Sequence, residues 1–260
     1  MKKILFTGAR SGIAASVIEK LLHDEYYIYV TVHTLEQLKK IRKKYENFNN
    51  VECFKLDVNS KNDRDKLKDL DIDIFVSNAA IGYGGSIVDT SISKLKDNFE
   101  TNVFSNFAIV QIVLQNMLKK DNGKIIMISS FAGIMPLRFL GFYCATKASI
   151  IKLTQCLRKE LKLVTKNIHI SLILPGMYHT GFNQIMLENK YPISNDSIFK
   201  NKEKEIKFIE ELFWETFEYK KLDSITNKIY KAIIKPKPKF IYSAPLFQKI
   251  GAKLYQIFKW

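Results

Sequence analysis

Short apolar runs alternate with longer amphipathic stretches along the first 175 residues. Runs rich in β-branched and aromatic residues predict six strands, at 3–6, 27–32, 51–56, 72–77, 124–128 and 168–173. Apolar residues at helical spacing predict the intervening helices, at 13–22, 35–45, 63–70, 93–119 and 143–164. Strands that alternate with helices pair in parallel through right-handed crossovers. The pattern therefore predicts an α/β fold with a doubly wound, Rossmann-like parallel sheet.

The alternation stops after Pro175 and Gly176. Residues 177–225 are helix-prone but irregular, and we interpret them as a substrate flap, since loops beyond the carboxyl ends of parallel strands bind ligands in such folds. Residues 237–242 predict a last edge strand. We interpret the whole chain, 1–260, as a single domain. It comprises a cofactor-binding core (1–176), the flap segment (177–225) and a C-terminal strand and basic amphipathic helix (226–260).

Charge narrows the range of partners. The chain has 260 residues, with 41 Lys+Arg against 26 Asp+Glu and a formal net charge of +15. Only five of the basic residues are Arg, the side chain that suits bidentate recognition of phosphates and bases. We therefore expect Lys-rich background composition rather than a nucleic-acid interface.

Cysteine usage and hydropathy indicate the compartment. The three cysteines, Cys53, Cys144 and Cys156, are widely spaced and lack a CxxC pair, which argues against a disulfide framework and against a metal site. No uncharged apolar run approaches the roughly 18 residues of a spanning helix. These features predict a cytoplasmic protein.

Three motifs carry candidate chemistry. A glycine turn with Gly8 and Gly12 joins the first strand to the first helix, where a backbone can approach a pyrophosphate. Tyr143 and Lys147 lie four residues apart on one helix face, and a neighbouring ammonium lowers the pKa of a phenol. Ser130 ends the fifth strand, thirteen residues before Tyr143. A phenol tuned in this way exchanges protons with a substrate oxygen.

Together these motifs resemble the short-chain dehydrogenase/reductase family, from residue 3 to about residue 180. The family's TGxxxGIG turn corresponds to residues 7–14, its NNAG motif to 77–80, and its Ser and YxxxK motifs to Ser130, Tyr143 and Lys147. Ala14 and Ala80 replace family glycines, and neither change removes a catalytic group.

The resemblance implies roles for individual residues. Tyr143 would exchange the proton with the carbonyl or alcohol oxygen, Ser130 would hold that oxygen, and Lys147 would hold the nicotinamide ribose. Asn102 would anchor a water in a proton relay. The residues expected to bind the cofactor are Gly8, Arg10, Ser11, Gly12, Ile13, His33, Asp57, Val58, Asn78, Ala79, Tyr143, Lys147, Pro175, Gly176 and Thr180.

Charge after the second strand favours one cofactor. NAD sites place Asp or Glu there to bind the ribose 2′-hydroxyl, whereas residues 31–34 carry no carboxylate. Arg10 and His33 would meet a 2′-phosphate, so NADP(H) is favoured and NAD(H) remains possible. Two further functions stay open, an NAD(H)-dependent alcohol dehydrogenase and a catalytically idle dinucleotide-binding regulator.

Apolar residues crowd the flap segment, which suits a lipophilic substrate such as a steroid-like or fatty-acyl carbonyl or secondary alcohol. The resemblance also implies a homodimer or homotetramer. In the tail, apolar residues of 246–260 form one helical stripe with Lys249 and Lys253 off it. We expect this helix to pack on its own domain or on a neighbouring subunit, with peripheral membrane contact through 246–260 as the alternative.

Overall fold

A computed structural model describes residues 1–191 and 193–258. Its centre is one seven-stranded sheet in which every pairing is parallel, in the order β3-β2-β1-β4-β5-β6-β7. The strands are β1 Lys2–Phe6, β2 Tyr26–Val32, β3 Val51–Lys55, β4 Ile74–Ser77, β5 Gly123–Ile128, β6 Ile168–Pro175 and β7 Ile241–Ala244. The predicted doubly wound parallel sheet is confirmed.

Helices cover both faces of the sheet. They are α1 Gly12–Leu21, α2 Leu35–Lys44, α3 Lys61–Asp65, α4 Ile92–Phe99, α5 Asn106–Lys120, α6 Gly141–Leu161, α7 Phe182–Glu188, α8 Glu203–Phe217, α9 Asp223–Ile234 and α10 Leu246–Phe258. Because successive strand residues point to opposite faces, Ile4 and Phe6 belong to one hydrophobic core and Leu5 to the other. All three are fully buried, as a parallel sheet covered on both sides requires.

The strand order reverses at the centre of the sheet. The chain winds outward from β1 through β2 to β3, and then crosses back to β4 on the other side of β1. Loops leaving β1 and β4 therefore separate to opposite faces and leave a crevice at their carboxyl ends. The glycine turn after β1 and the segment after β4 open onto this crevice.

The helix predicted over 63–70 is α3 followed by a 3₁₀ turn, Lys66–Asp69. Two more predicted elements differ in detail. The helix predicted over 93–119 is α4 and α5 joined by a π-helical turn, Glu100–Ser105. Such a turn adds a residue to the helical repeat and is frequent at functional sites. The last strand starts at Ile241 rather than at 237, because Pro236 and Pro238 lack the N–H groups that a strand donates. It lies at the edge of the sheet, as predicted.

The flap segment contains α7 and α8, and its two ends lie side by side. Tyr178 and Tyr219 form an isolated parallel bridge. Next to this bridge, the Glu218 carboxylate accepts hydrogen bonds from Asn183 at 2.8 Å and Gln184 at 3.0 Å, and lies 2.8 Å from His179 Nδ1. These contacts, which we term the Glu218 cluster, join the entry and exit of the flap segment.

Membrane spans and metal clusters are both absent from residues 1–191 and 193–258. No helix within these ranges has both the length and the apolar character needed to cross a bilayer. The same residues contain no group of three or more His, Cys, Asp or Glu side chains suited to a metal ion.

Candidate active site

The glycine turn is shaped by contacts with the segment after β4. Gly8 has φ +63°, and a Cβ atom there would lie 2.7 Å from the Ala79 Cα. Asn78 donates from its side chain to the Gly8 carbonyl at 2.7 Å, and the Thr7 hydroxyl accepts from the backbone N–H groups of Asn78 and Ala79 at 3.1 and 3.2 Å. Asn78 and Ala79 therefore hold the turn in shape as well as facing the crevice.

The same turn presents the start of α1 to the crevice. Ser11 is the N-cap residue, but its side chain makes no capping hydrogen bond, and the first turn of α1 carries no acidic residue. Gly12, at φ +67°, allows the chain to enter the helix at this point. Helix N–H groups left open in this way suit a phosphate, so the turn fits the pyrophosphate of a dinucleotide.

Ser130, Tyr143 and Lys147 converge from β5 and α6. Ser130 follows β5, and its hydroxyl accepts from the Ala132 N–H at 3.1 Å, which leaves its hydrogen to donate. Tyr143 lies in the first turn of α6, with its ring 5.7 Å from that of Phe182 in α7. Lys147 follows one turn later, and its Nζ lies 5.4 Å from the Tyr143 ring centroid and donates to the Ile128 carbonyl at 3.4 Å.

Burial determines the direction in which the pKa values of Tyr143 and Lys147 shift. Tyr143 and Lys147 are 8% and 3% exposed. Burial raises the pKa of Tyr143, and a hydrogen bond with Ser130 opposes this rise only in part. Burial also lowers the pKa of Lys147 to about 8. The Tyr143 pKa is therefore raised, contrary to the expectation of a phenol tuned toward neutral pH, because loss of solvation dominates. That Lys147 opposes this rise stays a prediction.

Asn102 is the one predicted catalytic residue that does not line the cavity. It lies in the π-helical turn and is fully buried. Its side chain accepts from the Ile81 N–H and donates to the Ile81 carbonyl, both at 2.8 Å, and donates to the Thr146 hydroxyl at 3.1 Å. Asn102 thus positions Ile81, which does line the cavity. Its part in a water relay stays a prediction.

One continuous cavity of about 810 Å³ connects the glycine turn with Tyr143 and the flap segment. The other predicted site residues all line it: Gly8, Arg10, Ser11, Gly12, Ile13, His33, Asp57, Val58, Asn78, Ala79, Ser130, Tyr143, Lys147, Pro175, Gly176 and Thr180. Beyond Tyr143 the walls are mostly apolar, formed by Leu137, Leu140, Met177, Phe182, Ile185, Met186, Phe213, Trp214, Phe217 and Phe247.

At the far end of the cavity, basic and amide side chains surround the end of β2. His33 Nε2 lies 3.6 Å from an Asp57 carboxylate oxygen. Gln37 also lines the cavity, where its side-chain oxygen accepts from the His33 N–H at 3.1 Å. Arg10 lines this end and has no ion-pair partner among the residues that the structure describes. An unpaired guanidinium suits a phosphate.

Sequence reasoning missed several walls of the cavity. Met135, Leu137 and Leu140 line the cavity and lie between Ser130 and Tyr143 in the sequence. Because the spacing between Ser130 and Tyr143 is short, the sequence already indicated that residues between them lie near the site. Phe247, Gln248 and Gly251 come from α10. The amphipathic pattern identified this helix, but not its position beside the cavity.

Known proteins are similar to this chain in sequence. The family model for short chain dehydrogenase matches residues 2–190. An NADPH-dependent 3-dehydrocapnine reductase from Ornithobacterium rhinotracheale is 26% identical, over 99% of this chain and 93% of that protein. A 3-ketodihydrosphingosine reductase from Bacteroides thetaiotaomicron is 30% identical, over 69% of this chain and 65% of that protein.

A solved structure extends the likeness to the whole fold. The short chain dehydrogenase/reductase from Burkholderia phymatum in complex with NAD superposes with a TM-score of 0.82 at 18% identity, over 98% of this chain and 93% of that one. The family match covers the crevice, Ser130, Tyr143 and Lys147. The chain belongs to the short-chain dehydrogenase/reductase family and is an NAD(P)-dependent oxidoreductase that acts on CH–OH and C=O groups.

Proposed function

We propose that this protein is an NADP(H)-dependent reductase of a lipophilic carbonyl compound, steroid-like or fatty-acyl, working reversibly on the corresponding secondary alcohol. The observation that carries the proposal is that Ser130, Tyr143 and Lys147 line one cavity between the end formed by the glycine turn and an end whose walls are mostly apolar. Such walls favour an apolar substrate, and a few polar groups fix its orientation.

Tyr143, Ser130 and Lys147 have different roles in the proposed reaction. When bound, the nicotinamide cofactor supplies or accepts the hydride. The Tyr143 hydroxyl donates its proton to the substrate oxygen, and its raised pKa keeps it protonated at neutral pH, the form that reduction requires. Ser130 donates a hydrogen bond to the same oxygen. Lys147, with a pKa of about 8, binds ribose hydroxyls and returns a proton to Tyr143.

The preference for NADP(H) rests on charge. Arg10 and His33 line the end of the cavity that would hold the adenosine ribose, and no carboxylate follows β2 directly. The relative from O. rhinotracheale is described as NADPH-dependent, which favours the same cofactor here. The structural neighbour in complex with NAD keeps an NAD(H)-dependent dehydrogenase as the alternative.

Two observations support a lipophilic substrate. Phe182, Met186 and Trp214 form an apolar cover over Tyr143, with Met186 and Trp214 themselves buried. The relative from B. thetaiotaomicron is named a 3-ketodihydrosphingosine reductase, and its name thus describes reduction of a ketone on a long-chain lipid. We propose the same broad class of substrate for this chain.

The first test is a fluorescence titration of the protein with NADPH and NADH, followed by turnover of a panel of lipophilic and small ketones. Tight NADPH binding and turnover of the lipophilic members, lost in Tyr143→Phe, support the proposal. Preference for NADH contradicts the roles of Arg10 and His33. Binding without turnover of any ketone favours the idle dinucleotide-binding regulator.

We also propose a homodimer or homotetramer in the cytoplasm. Cys53, Cys144 and Cys156 are all free thiols, which suits a reducing compartment. Light scattering of the purified protein measures the assembly, and a monomeric mass contradicts it. Fractionation of cells tests the compartment, and recovery from the periplasm or medium contradicts it.

A further inference from the structure

Helix α10 presents an apolar face to solvent. With about 100° of rotation per residue, six apolar side chains share roughly a third of its circumference. Their exposed fractions are Leu246 70%, Phe247 65%, Ile250 50%, Leu254 48%, Ile257 71% and Phe258 64%. The opposite side of the helix packs on the protein through Ala252, which is 2% exposed. The helix packs on its own domain, as expected, but through Ala252 and Gln248 rather than through its apolar stripe.

Specific contacts hold α10 in place with this face outward. Gln248 donates to the Phe217 carbonyl at 2.7 Å and accepts from the Met177 N–H at 2.8 Å. Gly176 permits this approach, since a Cβ atom there would collide with the Gln248 side-chain oxygen. The exposed face is thus fixed beside β6 and the end of α8.

The charged residues beside the apolar face of α10 indicate which kind of surface this face binds. α10 carries Lys249 and Lys253 and no carboxylate. Lys220 and Glu218 border the same shallow depression as Phe247, and the Glu218 carboxylate is already hydrogen-bonded within the Glu218 cluster. The lysines that precede β7 lie at the opposite end of the strands, away from α10; they are Lys235, Lys237 and Lys239. An exposed apolar face flanked by lysines matches the boundary between acyl chains and anionic headgroups.

We propose that α10 docks this protein on an anionic phospholipid surface, with its apolar face in the headgroup boundary. A second copy of the chain is a poorer occupant. A twofold contact through this face would gather Lys249 and Lys253 of both copies at one interface, and α10 carries no carboxylate to pair with them. Lys259 and Trp260, which the sequence assigns to the same helix, lie outside the described residues.

The docking face is continuous with the active-site cavity. Phe247 is largely exposed on the apolar face and also lines the cavity, as does Phe217 next to it. Docking would place this part of the cavity rim at the lipid surface, where a lipophilic substrate can enter without crossing water. This route rests on the proposed function, whereas the lipid contact does not.

Co-sedimentation tests the proposal directly. The probes are vesicles of phosphatidylcholine with about one-third phosphatidylglycerol, and vesicles of phosphatidylcholine alone. We expect the protein to sediment with the anionic vesicles and to bind the neutral ones at least tenfold more weakly. The double variant Leu254→Glu/Ile257→Glu should lose at least tenfold in affinity, and Lys249→Gln/Lys253→Gln about twenty-five-fold, at roughly fivefold for each lysine.

A matched control separates docking from a general effect of added charge. Leu163→Glu/Val164→Glu makes the same change at side chains 86% and 72% exposed, on the loop between α6 and β6. This control should bind vesicles as the unmodified protein does. NADPH binding in solution should be unchanged in every variant, which keeps the result independent of the proposed substrate. Failure to bind anionic vesicles, or equal binding by Leu254→Glu/Ile257→Glu, overturns the proposal. So does a dimer that this variant converts to monomer without any vesicle binding.

Discussion

The hydroxyl of Ser129 donates a 2.8 Å hydrogen bond to the backbone carbonyl of Lys147. This bond joins the end of β5 to the second turn of α6. Gly133 lies against the same peptide group, since a Cβ atom there would be 2.7 Å from the Lys147 carbonyl carbon and oxygen. The distance between the strand that carries Ser130 and the helix that carries Tyr143 is therefore fixed by buried backbone contacts. The two neighbouring serines have different tasks.

Replacement of each serine should separate these tasks. Ser130→Ala removes the hydroxyl that holds the substrate oxygen, so we expect a loss of kcat/KM of about a hundredfold. Ser129→Ala should lower the free energy of unfolding by about 1 kcal/mol, because a buried hydrogen bond is lost. Steady-state kinetics and urea unfolding of both variants measure the difference. The assignment is wrong if Ser129→Ala has the larger kinetic effect.

Tyr143→Phe should abolish turnover while cofactor binding persists. A general acid contributes about 10²- to 10⁴-fold, and the ring that packs on Phe182 is retained. Ketone-dependent oxidation of NADPH and a fluorescence titration measure the two effects. Tyr27→Phe is the matched control, since its hydroxyl bonds Glu52 in an exposed pair away from the cavity and its loss should leave kinetics unchanged. Full activity of Tyr143→Phe would show that another group protonates the substrate.

Lys147→Met should stabilise the protein at neutral pH and inactivate it. The pKa of Lys147 in the folded state is about 8, against 10.5 ordinarily, so its protonated form is disfavoured by folding. Each unit corresponds to 1.36 kcal/mol, which makes the burial cost roughly 3 kcal/mol below pH 8. Above that pH the folded state releases its proton before the unfolded state does. The contribution of Lys147 to stability therefore rises with pH between about 8 and 10.5.

Urea unfolding at about pH 7 and about pH 9.5 measures this dependence. Lys147→Met should exceed the unmodified protein by up to about 3 kcal/mol at the lower pH and by less at the higher one. Lys152→Met, at an exposed position of the same helix, should show no such pH-dependent gain. A gain that grows with pH would contradict the assignment.

Arg10→Ala should discriminate between the two dinucleotides. Loss of a charge-assisted contact with the 2′-phosphate should raise the Kd for NADPH by about tenfold or more, and change that for NADH by less than about twofold. Arg42→Ala is the control, since Arg42 is also exposed but bonds the Cys53 carbonyl. Equal weakening of both dinucleotides by Arg10→Ala would place Arg10 on the pyrophosphate instead.

Alanine should lower the stability of the protein at Gly176 and raise it at Gly251. Gly176→Ala drives a methyl group into the Gln248 side-chain oxygen and to within 2.8 Å of Pro245, so it should cost about 1–3 kcal/mol and release α10. At Gly251, inside α10, an added Cβ meets nothing within 4 Å, and alanine should stabilise by up to about 1 kcal/mol. Differential scanning calorimetry tests both changes. Two changes of the same sign would contradict the anchoring of α10 through Gln248.

The features of the fold that depend on the local sequence pattern could be predicted. The period of apolar residues gives the strands and helices, and the glycine turn and polar residues at strand ends mark the crevice. The resemblance to the family supplied most of the site residues, and every one but Asn102 lines the cavity. The pKa of Tyr143 was not predictable, because the spacing to Lys147 is local whereas its burial depends on Phe182 in a distant helix. The position of α10 depends in the same way on the contact between Gly176 and Gln248, seventy-two residues apart.

The Glu218 cluster has a consequence for how this enzyme could change its substrate. It closes the chain between residues 178 and 219 into a loop whose two ends meet beside β6, apart from Ser130 and Lys147. The entropic cost of closing such a loop grows only slowly with its length. The segment between α7 and α8 can therefore be lengthened or shortened while Phe182 keeps its contact with Tyr143.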